Sequence, residues 1–165
     1  MRNYSKSLFC SIILYEIIFT IDIIIISRKF KAKASTKNIK VISEFLSFSD
    51  LRQLYHDALF VVIPLKDVCH AGGINAIQEA MAMQKATIVS NSEGVAEYIS
   101  EKTSIIVASD NVNELKEAII LLQQNNKIRS TLETNSRKHT VDNYACDVLS
   151  AEFHSLFSNL LLNHN

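Results

Sequence analysis

The chain has 165 residues, 48% of them apolar and 21% charged. These are the proportions of one ordinary globular domain, and they exclude a disordered tail, a collagen-like rod and a low-complexity linker. Seventeen bases balance seventeen acids for a formal charge of zero, so the chain as a whole is no binder of nucleic acid or any other polyanion. The charge is unevenly spread: residues 1–40 hold eight bases and two acids, and residues 41–165 hold nine bases and fifteen acids. Cys10, Cys69 and Cys146 are odd in number and widely scattered. They fit neither a disulfide framework nor a metal-ligand spacing, and they point to a reducing, cytoplasmic setting.

Residues 8–27 hold fifteen apolar residues in twenty, flanked by bases, a length that can span a bilayer. Glu16 and Asp22 lie inside this stretch, and an acid near the bilayer centre costs about 2.5–3.5 kcal/mol. The preferred reading is a helix over 5–18, with Leu8, Ile12 and Tyr15 at helical spacing, then a buried parallel strand at 21–26, where five isoleucines crowd together. A membrane anchor through residues 8–27 is the alternative. No signal-peptide cleavage pattern follows. Segment 28–40 carries six bases and no acid. It reads as a solvated loop, or as a surface that attracts substrate phosphate or anionic lipid, which would be a peripheral membrane contact.

From there strands and helices alternate. A short strand is expected at 40–45. Ser47 and Asp50 then make a capping-box-like start for a helix whose Leu51, Leu54, Tyr55 and Ala58 fall at i, i+3, i+4 and i+7. The continuous apolar run 58–65 reads as a central strand. The pattern predicts a helix at 74–83, a strand at 86–91, a short helix at 95–100 and a strand at 104–109. Asn111 and Glu114 cap a helix with Leu115, Ala118, Ile119 and Leu122 on its core stripe, and helices at 127–143 and 147–162 close the chain. This rhythm argues for an α/β fold, a doubly wound Rossmann-like parallel sheet in a single domain over 1–165.

All three glycines fall just beyond strand ends: Gly72 and Gly73 after the 58–65 run, Gly94 after the 86–91 strand. Ligands of open α/β sheets bind at that edge. Gly72-Gly73 also opens a helix, whose first-turn N–H groups and positive dipole end suit a phosphate, although two glycines also make a plain tight turn. On that helix Ile74, Ile77, Ala80 and Met81 share the buried face, while Asn75 and Glu79 lie together off it. Glu79 is placed to accept the two hydroxyls of a ribose and reads equally as an exposed helix residue. Off the buried face, its replacement by alanine is expected to leave stability within about 0.5 kcal/mol.

HAGGINAIQEAMAMQKATIVSNSEGVAEYI (70–99), with IIVASDNVNELKEAIILL (105–122) downstream and SEFLSFSDLRQLYHDALFVVIPLKD (43–67) upstream, resembles the donor-binding half of group 1 (family 4) glycosyltransferases of the GT-B fold. GINAIQE (73–79) is also similar to the nucleotide-binding helix of UDP-glycosyltransferases. The resemblance implies a nucleotide-diphosphate sugar as ligand, no cofactor and no metal. By matching position it implies Glu79 as the ribose ligand, and Gly72, Gly73 and Ile74 as backbone donors to the diphosphate. His70 stands beside them as a further phosphate donor or a solvent-facing loop histidine. Gly94 and Val95 match the loop beside the donor, and Arg2 matches a basic diphosphate ligand. Asp67 and Lys66 stand near the place of the donor sugar.

The sequence departs from the family pattern in three ways. The family's second glutamate, eight residues before the ribose-binding one, is Ala71 here. The usual helix-ending glycine is Gln84, which would cost roughly 1 kcal/mol if left-handed. The acceptor domain and the first strand of the donor domain lie outside the resemblance. The strands at 21–27 and 58–64 are therefore expected to flank an open place in the sheet, or to close over it. The chain is read as a donor domain that does not transfer sugar by itself, with a separate acceptor-domain chain as a partner. The alternative is a non-catalytic nucleotide-binding remnant or partner subunit.

Overall fold

The computed structural model describes residues 22–26, 38–66 and 72–162. The expected helix at 5–18, most of the basic segment, and Arg2, Asp67 and His70 lie outside the described residues. The elements run β1 (Ile23–Ile26), β2 (Ile39–Ile42), α1 (Phe48–Asp57), β3 (Val61–Ile63), α2 (Ile74–Ala82), β4 (Thr87–Ser90), β5 (Ser104–Val107), α3 (Val112–Gln124), α4 (Asn126–Tyr144) and α5 (Cys146–Leu162). The fold is α/β with parallel strands, as expected.

Among the described residues the strands form two ladders. β1 pairs with β2 in register Ile23 to Ile39. β3, β4 and β5 pair in that order, Val61 to Thr87 and Thr87 to Ser104. Among the described residues no ladder joins β1 to β3. The strand with two neighbours is β4, although the longest uninterrupted apolar run lies at β3. All four residues of β4 are buried. Its buried Thr87 shares a hydroxyl–hydroxyl hydrogen bond of 2.8 Å with the buried Ser104 of β5, which offsets the desolvation penalty of each.

Alternation along β4 divides the core. Ile88 joins Ala86, Val107, Ala118, Ile119, Leu122 and Leu132 on the α3 side. Val89 joins Ile63, Ile77, Met81, Val95 and Ile99 on the α2 side. Successive side chains of a strand point to opposite faces, so one strand nucleates both layers.

Caps set the helix starts. The Ser47 hydroxyl accepts from the Asp50 N–H at 3.1 Å and donates to the Asp50 carboxylate at 2.6 Å. The Asn111 side chain accepts from the Glu114 N–H at 3.2 Å. After α2 the chain turns through Gln84 with φ 56°, the left-handed conformation expected of the missing glycine. The expected helix at 95–100 is instead a 3-10 turn, Glu93–Val95. Six residues are too few to repay helix nucleation, and burial of Val95 and Ile99 fixes the segment in its place.

Candidate functional site

The carboxyl ends of β3, β4 and β5 are tied together by one side chain. The Ser109 hydroxyl lies 2.5 Å from the Asn91 carbonyl and 3.4 Å from the Leu65 carbonyl, toward which it donates. Beyond this edge α2 begins. Gly73 takes φ 89° and ψ −5° at its N-cap, and no side chain caps the first turn. A Cβ at this position would stand 2.7 Å from Leu65 Cδ2, the far end of a flexible side chain, so it is the left-handed backbone that calls for glycine. The first-turn N–H groups at Ile74 lack intrahelical partners by construction and carry the positive end of the helix dipole. Gly72 and Ile74 are partly exposed beside Gly73.

Glu79 stands five residues further on, about 7.5 Å along the axis. It is half-buried, a correction to its expected place off the packed surface. The physical reason is Tyr55 of α1, whose phenol O–H donates to Glu79 Oε2 at 3.0 Å. Burial, reinforced by the negative charge and hydrogen bond of Glu79, holds the Tyr55 phenol well above its ordinary range, so it remains a proton donor at any physiological pH. Glu79→Ala would strip a partly buried hydroxyl of its acceptor, at a cost of about 1–3 kcal/mol. The expected neutrality of that change is therefore revised. Nothing in helical periodicity identifies Tyr55 as more than a member of the α1 stripe. The available signal is chemical: a buried tyrosine hydroxyl generally needs a partner.

Glu79 also lines a cavity of about 430 Å³, with Ile26 and Ile42 at the ends of β1 and β2, Glu44, Phe45 and Leu46 of the following loop, and Phe48 and Leu51 of α1. Phe45 and Phe48 stand largely in solvent, so this recess is an open, mostly apolar groove, and its volume falls in the range of small-molecule sites. Sequence reasoning did not find its wall, because three separate segments build it.

The remaining sequence-predicted residues divide. Lys66 is exposed at the end of the β3 segment. Gly94 is partly buried in the 3-10 turn. Val95 is fully buried in the α2-side core, and its N–H donates to the Ser92 carbonyl at 3.1 Å, so its side chain supports the loop from beneath. Among the described residues no group of three metal-ligating side chains converges, and no helix is long and apolar enough to cross a membrane.

Comparison with known proteins agrees with this architecture. No curated protein sequence matches the chain. Sucrose-phosphate synthase from Thermosynechococcus elongatus superposes with a TM-score of 0.65 at 20% identity, over 77% of this chain and 31% of that one. The C-terminal domain of a glycosyl transferase group 1 family protein from Francisella tularensis superposes with a TM-score of 0.58 at 19% identity, over 67% of this chain and 55% of that one. At such identities the likeness establishes the fold, and the chain spans about a third and about half of the two structures. A profile of the family described as glycosyl transferases group 1 matches residues 27–139. More than half of the chain lies inside that match, and the chain belongs to the group 1 glycosyltransferases.

Proposed function

We propose that this chain binds the nucleotide diphosphate portion of a sugar donor. The nucleobase occupies the apolar recess, the ribose hydroxyls meet the Glu79 carboxylate, and the diphosphate lies against the N-terminus of α2 at Gly72, Gly73 and Ile74. One observation carries the reading: a single short helix has a glycine-started, side-chain-free N-terminus and, less than two turns on, a carboxylate lining an apolar cavity. That order of anion site, polar acceptor and apolar slot matches phosphate, sugar and base along a nucleotide.

In sugar transfer from such a donor, the protein's work is to position the reactants and stabilise the charge that develops on the departing diphosphate. Here the α2 amides and dipole would supply that stabilisation, with Lys66, Arg2 and His70 as further donors. Asp67 would stand by the sugar, and Gly94 would leave room beside it. The acceptor-binding part is proposed to lie on a separate or preceding stretch of polypeptide, in the cytoplasm, with segment 28–40 against anionic lipid. A second reading, a nucleotide-binding subunit without transfer, is favoured by Ala71 standing where the family usually has its second glutamate.

The test is calorimetric titration with UDP, GDP and ADP. Wild type is expected to bind one of them, and Glu79→Ala to bind it more weakly by about 1.5–3 kcal/mol, the range for hydrogen bonds to a charged group. Equal binding by both proteins would remove Glu79 from the site.

A further inference from the structure

We infer that Tyr55 is a positioning residue for Glu79, fixing the rotation of its carboxylate so that the acceptor sites left over face the cavity and select a ribose over a 2′-deoxyribose. The inference rests on the reading of Glu79 as the ribose ligand and extends it to a residue from a different helix, α1, 24 positions earlier in the chain. A carboxylate has about four lone-pair sites on two oxygens. The Tyr55 O–H takes one of them, on Oε2, at 3.0 Å. The bond defines which way the plane of the carboxylate turns, and an acceptor held before the ligand arrives binds without first losing its own rotational freedom.

The identity of the partner matters. A phenol facing a carboxylate can only donate, so the interaction has one polarity and one geometry. A lysine or arginine in its place would neutralise Glu79 and compete with ligand hydroxyls for it. The same bond joins two walls of the recess, because Leu51, one turn before Tyr55 on α1, lines the cavity together with Glu79. Lys85 Nζ, donating to the His56 carbonyl at 2.7 Å, is a second tie between α1 and the segment after α2. Removal of the phenol O–H therefore does not detach α1, and the effect on the carboxylate can be isolated.

The experiment compares the affinity of a ribonucleoside diphosphate with that of its 2′-deoxy counterpart. The probe is whichever of UDP, GDP and ADP binds wild type most tightly. Wild type is expected to prefer the ribo form about tenfold, and Tyr55→Phe, which keeps the ring, to reduce the preference to about threefold or less. Inorganic pyrophosphate should bind both proteins equally. In a Glu79→Ala background, Tyr55→Phe should change the ratio no further. If Tyr55 served only as a strut, Tyr55→Phe would weaken ribo and deoxy forms alike and keep the tenfold ratio; that result overturns the inference. If instead Glu79→Ala keeps the wild-type ratio, the ribose reading itself fails and takes Tyr55 with it, an outcome distinguishable from the first. Should Tyr55→Phe not fold, Tyr55→Met, which also lacks the O–H, asks the same question: the ribo preference falls to about threefold or less, and a kept tenfold preference counts against the proposal.

Discussion

The two ladders differ in how they are held. Around β3, β4 and β5 the core is closed on both faces: Ile77, Met81, Ile88, Val89 and Leu122 are inaccessible to solvent. β1 alternates between partly exposed and exposed residues, β2 has no buried residue, and α1 has none either. Ile24 and Ile26 remain about half exposed, and Phe45 and Phe48 are 81% and 87% exposed. One region therefore carries the stability, and the other supplies the outer wall of the recess. The proposed site lies where they meet, with the start of α2 on the closed side and the apolar wall of the recess on the exposed side.

The sharpest test of this division is truncation of one leucine on each side. Leu122→Ala in the closed core should cost about 2–5 kcal/mol in urea unfolding, whereas Leu54→Ala on α1 should cost under about 1.5 kcal/mol. Comparable losses at the two positions would mean that the regions share one core. Next in size, Gly73→Ala forces a left-handed residue with a side chain against Leu65, and should lower stability by about 1–2 kcal/mol. It should also weaken pyrophosphate binding, since the α2 start must shift; an unchanged thermal midpoint would show that the turn tolerates a Cβ.

The smallest effect depends on pH. The Tyr55 phenol is raised above its unfolded value of 10.0, first by burial and then by Glu79. A group raised on folding stabilises the fold below its unfolded pKa and loses that contribution as pH climbs toward the folded one. Wild type should therefore lose stability relative to Tyr55→Phe between about pH 9 and 11, by no more than about 1.4 kcal/mol per pH unit. Tyr144, also raised by burial, is common to both proteins and cancels. Parallel pH curves for the two would place the phenol outside the bond to Glu79.

Local signals in the sequence identified what is locally determined. Ser47 with Asp50 and Asn111 with Glu114 marked two helix starts, and both form the anticipated cap bonds. The glycine pair before Ile74 marked the start of α2, and the family resemblance singled out Gln84 as standing where a helix-ending glycine is usual; it takes the left-handed conformation. Other features depend on distant contacts. The strands are shorter than the apolar runs containing them, because Phe60 and Leu65 pack against the core without extending the ladder. The segment after Gly94 has helical spacing at Val95 and Ile99, yet it is held by their burial, by turn hydrogen bonds such as Tyr98 N–H to the Val95 carbonyl at 2.9 Å, and by the Tyr98 ring on Tyr144. Tyr55 meets Glu79 only after two βα units have been placed, and the recess takes its walls from β1, β2, α1 and α2 together.

The buried turn after β4 also bears on the cost of binding. Val95 and Ser92 are buried, Ile99 is nearly so, and Tyr98 stacks on Tyr144 of α4 at 5.8 Å. That loop has already surrendered its conformational entropy during folding, when the core repaid it. A nucleotide arriving beside Gly94 would order nothing there, so the entropic penalty of association would fall on the α1 wall. Affinity would then respond most to changes that stiffen α1, even those that touch no part of the ligand.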